Sequence, residues 1–110
     1  MTGQDLRIEI QQKLSLMDRA LIEAKDRGIE QARAEQAYQV AKMQETLKLK
    51  AEGAPVTIIN NIVKGLVAEQ LFKRDSALVL YNSAKEAINV YKIAIKALQE
   101  DYNREWSANK

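Results

Sequence analysis

RDSALVLYNSAKEAINVYKIAIKALQEDYNREW, residues 74–106, is the stretch whose reading decides the fold. Within it Ala77, Tyr81, Ala84, Ile88, Tyr91, Ile95, Leu98 and Tyr102 follow one another in alternating steps of four and three. On an α-helix that spacing gathers all of them into one stripe, the seam a long helix lays along a second helix. Further apolar residues lie beside the seam at Leu78, Leu80, Ala87 and Ala94, and on another face at Val79, Val90, Ile93 and Ala97. The polar strip is narrow, formed by Asp75, Asn82, Glu86, Asn89 and Glu100. One partner helix cannot cover that much apolar surface, so the pattern predicts a second copy or another protein against it.

The helix that carries this seam is expected from about residue 66 to 106. Upstream of it, Glu52-Gly53-Ala54-Pro55-Val56 is the strongest break in the chain. Gly53 suits the left-handed position after a helix end, and Pro55 cannot continue a helix. Thr57 is placed to cap a short helical turn over residues 58–64, which Gly65 ends or bends. Apolar residues are dense here (Val56, Ile58, Ile59, Ile62, Val63, Leu66, Val67). That density predicts a short helix tucked under the hairpin tip rather than a plain loop. A strand over residues 56–59 would have no second strand to pair with.

The first helix is expected over residues 5–52, with Thr2 or Asp5 as its cap. Leu6, Ile10, Leu14, Met17, Leu21, Ala24 and Gly28 form its stripe. Gly28 falls on that stripe. A mid-helix Gly costs roughly 1 kcal/mol relative to Ala, so it predicts a close helix crossing or a local bend, the alternative being a true break into two helices; nothing else nearby signals a stop, and one helix is expected. From Ile29 to Glu52 the apolar residues spread over more than one face, as they would against two neighbours. The sum is an all-α chain in one domain, 1–110. It reads as a long antiparallel helical hairpin with a short helix at the turn (corner 53–65), expected to pair into a dimeric four-helix bundle.

Composition narrows the function classes. The 110 residues hold no Cys and no His. Thiolate chemistry is therefore absent, and so are the commonest general base and metal ligand. Carboxylates such as Glu23, Glu30 and Glu35 alternate with Lys and Arg, as on a solvent face. They lack the His partners of a bundle di-metal site. Phosphate-cradling Gly-rich loops, calcium loops and nucleophile–base pairs are absent as well. The reading is no enzyme, no cofactor and no metal. No apolar run approaches the roughly 18 residues of a membrane span. The start of the chain has no basic region followed by an apolar one, and the expected location is the cytoplasm.

Net charge is only +2, but residues 42–96 hold nine basic against five acidic side chains. Arg74, Lys85, Lys92 and Lys96 project from one side of the seam within an arc of about 40°. Such a row can track phosphates, which makes weak, sequence-independent DNA or RNA binding the alternative reading. It can equally be lysine stems covering the seam. Tyr81, Tyr91 and Tyr102 read as packing residues, and Trp106 as a lid over the bundle end or a partner contact.

The C-terminal third carries a resemblance. Arg74-Asp75, Ala77, Tyr81, Ala84, Glu86-Ala87-Ile88-Asn89, Lys92, Leu98 and Arg104-Glu105-Trp106 are similar to the pattern of small all-helical proteins encoded by phages and prophages of Gram-positive bacteria. The Val63-Lys64-Gly65 corner adds a weaker likeness. Those proteins tend to be encoded among early genes for DNA replication and recombination, and no activity is established for them. The resemblance implies a phage accessory protein in a bacterial host, acting through an unknown protein partner, and it carries over no site residue. Secreted helical hairpins with Trp-x-Gly in the turn are a poor match, because Trp106 is the only Trp and lies far from the corner.

Overall fold

The computed structural model describes residues 2–108 and contains three helices: α1 (Gly3–Ala51), α2 (Val56–Leu66) and α3 (Ala68–Ala108). No strand occurs among the described residues. The architecture is the antiparallel helical hairpin with a short helix at the turn that the sequence predicts. Contacts within the chain divide it into two compact units. The terminal unit joins the described residues up to Lys25 with those from Asn82 onward, and the corner unit is Asp26–Tyr81.

The first helix opens two residues earlier than its expected start because Thr2 and Asp5 cap it reciprocally. The Asp5 amide donates to Thr2 Oγ1 at 3.1 Å, and the Thr2 amide donates to Asp5 Oδ2 at 3.3 Å. Two N–H groups at the helix start thereby find acceptors. The Thr2 hydroxyl, and then its backbone amide, hold the Asp5 carboxyl below the ordinary carboxylate range.

In the terminal unit Leu6, Ala20 and Ala24 of α1 and Ile95 of α3 are buried. Ile10, Lys13 and Met17 are half-buried beside them. The expected α1 stripe is therefore corrected at two places: Leu14 and Leu21 are exposed, Leu21 by 47%. Lys13 and Ala20 take the inward positions instead. Both registers alternate four and three and share Ile10, Met17 and Ala24, so hydrophobicity alone favours the one with more Leu. The observed register puts small Ala20 and Ala24 at the contact, which lets α3 approach closely. Lys13 is half-buried there, as a long side chain with an aliphatic stem can be. A Cβ placed on Gly3 would lie 3.6 Å from Glu105 Cγ and 3.9 Å from Tyr102 Cε2, so the start of α1 lies against the end of α3.

The corner unit has its own core. Ile59 and Val63 of α2 and the linking residue Val67 are buried together, with Tyr38, Ala41, Leu49 and Ala54 packed on them. The spread of apolar residues along this part of α1 now has its cause, since α1 meets both α2 and α3 here. Helix α1 ends in a two-bond cap: the Gly53 amide donates to the Lys50 carbonyl at 3.1 Å, and the Ala54 amide to the Leu49 carbonyl at 3.0 Å. Gly53 has φ +80°, which a side chain would strain, and Ala54 and Leu49 supply the accompanying apolar contact.

Two details of the corner differ from expectation. Thr57 is not the cap of α2. Pro55, at φ −60° and ψ 133°, opens the helix one residue ahead of Val56, and no side chain caps it. A fixed φ near −65° already suits that position. Gly65 does not end α2 either. The helix continues to Leu66, and Val67, only 2% exposed, is the single residue between α2 and α3. Burial of Val67 fixes the direction change, so no flexible residue is needed there. Helix α1 runs unbroken through Gly28, where a Cβ would stand 3.2 Å from Tyr81 Cε1. Of the readings of that Gly, the close crossing is the one present.

Candidate interaction surfaces

The seam residues of α3 face inward. Ile95 is 7% exposed, and Ala77, Tyr81, Ala84, Ile88, Tyr91, Leu98 and Tyr102 are half-buried. Within each unit they serve the packing of α3 against its own chain. Leu80, Val90 and Ile93, placed on the self-association surface from sequence, are exposed, Ile93 by 70%. Val79 is exposed with them. The list of candidate interface residues thus separates into a packed seam and an open apolar flank.

Helix α1 adds exposed apolar residues of its own in the terminal unit: Ile8, Leu14, Leu21 and Ile22. The first turn of that unit also forms a groove of about 680 Å³ with Tyr102 and Trp106. Trp106 is exposed and lines the groove without closing it.

In the corner unit, Ile58, Ile62 and Leu66 recur every four residues on one face of α2 and remain exposed. Phe72 of α3 is exposed by 72%. Sequence reading singled out neither Phe72 nor Ile22, because each stands off the inward-facing stripe of its helix. Only their exposure in the folded chain marks them.

The four candidate phosphate-contacting cations do not share one environment. Arg74 is engaged within the corner unit: it pairs with Glu35 at 3.4 Å and Asp75 at 3.1 Å, and its guanidinium lies 4.5 Å from the centroid of the Tyr38 ring. Lys85, Lys92 and Lys96 belong to the terminal unit and are exposed. Arg74 is held in place by neighbours that already match its charge, which sets it apart from the three lysines.

Among the described residues, no group of three or more carboxylates stands close enough to hold a metal ion, and no helix is long and apolar enough to cross a membrane. Compared with known protein families, curated proteins and solved structures, the chain shows no match.

Proposed function

We propose that this chain is a non-enzymatic helical interaction protein that self-associates through the open flank of α3. The supporting observation is the exposure of Val79, Val90 and Ile93 on one face of a helix whose seam is already occupied, with Leu80 exposed beside that seam. Single exposed apolar residues are ordinary, but a group repeated along one helix marks a contact surface. Pairing of two hairpins would give the four-helix arrangement in which such flanks become core. The likeness to phage and prophage proteins supports a setting in bacterial cytoplasm, as an accessory to DNA metabolism that acts on a protein partner.

Mass measurement by light scattering during size exclusion tests the self-association. The expected result is a mass above the 12.5 kDa of one chain at micromolar concentration, reduced to one chain by Val90→Glu with Ile93→Glu. A single-chain mass for the unaltered protein would refute it.

Lys85, Lys92 and Lys96, exposed along α3, favour a second reading: weak DNA or RNA binding. Three cations per chain, with Glu86 and Glu100 on the same helix, predict binding that fades near physiological salt. A gel shift persisting at about 0.15 M salt, and lost on changing the three lysines to Glu, would put this reading first.

A further inference from the structure

We propose that the corner unit carries a site for a compact dianionic oxyanion, a phosphate ion or a phosphate monoester, in the cavity between α1 and α2. The cavity measures about 220 Å³ and is lined by Tyr38, Lys42, Asn60, Val63, Lys64 and Val67. Each helix contributes a pair spaced by four, Tyr38 with Lys42 and Asn60 with Lys64, so the two pairs meet across one concavity. The buried side chains of Val63 and Val67 form its apolar wall.

Charge is the decisive feature. Two lysine side chains line the same small space, and neither makes an ion pair among the described residues. Two other cations of the corner unit are matched, Lys73 with Glu69 at 3.3 Å and Arg74 with Glu35 and Asp75. Glu45, three residues from Lys42, makes no ion pair with it. Bringing two like charges to one concavity is unfavourable until an anion joins them, and an apolar wall strengthens that attraction. Lysine suits a phosphate as a point charge, and the Asn60 carboxamide adds hydrogen-bond donors. The volume sets the size of the ligand. Pockets for drug-sized molecules hold roughly 300–1,000 Å³, so this one takes the anionic group and leaves any larger substituent outside. Tyr38 is already engaged by the Arg74 guanidinium at 4.5 Å and lies 5.9 Å from the Lys42 ammonium, which makes it a wall rather than a stacking platform for a base. A dianion answers both lysines; a phosphodiester, with one charge, answers half of them. This site is independent of the self-association surface on α3.

Nuclear magnetic resonance titration of the full chain at constant ionic strength tests the proposal, with inorganic phosphate, glycerol phosphate and a nucleoside 5′-monophosphate as probes and chloride as control. Saturable shifts of the Asn60 side-chain amide and the Lys64 and Val67 backbone amides are expected, with a dissociation constant of about a millimolar. Tighter binding of a monoester assigns the site to a phosphorylated metabolite, and tighter binding of inorganic phosphate assigns it to the free ion. Lys42→Gln or Lys64→Gln should each weaken binding about tenfold or more. The Lys48→Gln, Lys50→Gln double variant, with twice the charge loss of either single variant but outside the cavity, should bind as the unaltered chain does. Linear shifts without saturation, equal shifts with chloride, or equal loss in the Lys48, Lys50 control would overturn the proposal. So would an oligonucleotide that binds these residues more tightly than phosphate does.

Discussion

Gly28 and Gly65 are both helical, yet their surroundings oppose each other. The aromatic edge of Tyr81 stands where a Gly28 side chain would begin, whereas nothing lies within 4 Å of a Cβ on Gly65. Gly65 is not among the positive-φ residues, so a side chain there meets no backbone strain. Gly65→Ala should raise stability by up to about 1 kcal/mol through helix propensity and reduced freedom of the unfolded chain. Gly28→Leu should lower it by roughly 1–3 kcal/mol, because a bulky group must displace Tyr81. Denaturant unfolding of the two variants checks both signs, and destabilisation by Gly65→Ala would contradict the open space around it. Sequence identified Gly28 as a candidate crossing because it falls on the apolar stripe. It read Gly65 as ending or bending the short helix because Gly is the usual stop residue. The burial of Val67, which sets the direction change, depends on contacts between α1 and α2 that no local pattern encodes.

Helices α1 and α3 were unequally legible. On α3 the seam is unambiguous, since only one phase of the four–three alternation is apolar throughout. On α1 two phases compete, and Leu14 and Leu21 make the wrong one look richer. Close approach at Ala20 and Ala24 decides between them, and small residues are nearly silent in a hydrophobicity pattern. The seam of α3 supports a sharp comparison. Ile95→Ala removes a buried side chain and leaves a cavity, costing on the order of 2–5 kcal/mol. Asn89→Ala, on the exposed polar strip, should change stability by less than about 0.5 kcal/mol. Thermal melting of the two variants should separate them clearly, and equal shifts would place the seam on another face. The interaction surfaces were half legible: the α3 flank could be read from its periodicity. The cavity between α1 and α2 required knowing that the Tyr38–Lys42 and Asn60–Lys64 pairs face each other.

At the scale of the whole molecule, the two units differ in how the chain builds them. The corner unit is one continuous segment, Asp26–Tyr81, with its own buried cluster of Ile59, Val63 and Val67. The terminal unit joins two segments that are far apart in sequence. A chain cut after Tyr81 should therefore keep slow hydrogen exchange at the amides of Ile59 and Val63. In the same chain the amides of Leu6 to Ala24 should lose protection, having lost Ile95 and the rest of α3 beyond Tyr81. Uniform loss across the truncated chain would mean that the corner core cannot stand alone.

That discontinuity bears on how the protein is made. Translation delivers the segment up to Lys25 well before its α3 partners, which begin at Asn82. At elongation rates of about 5–20 residues per second, Leu6, Ile10, Met17 and Ala20 wait on the order of seconds for cover. During that interval the nascent chain presents an unpaired amphipathic helix beside an already closing corner. The nascent form is thus the one most exposed to holdase chaperones and to mispairing with another unfinished chain, and emergence of the part of α3 beyond Tyr81 is the step that ends the exposure.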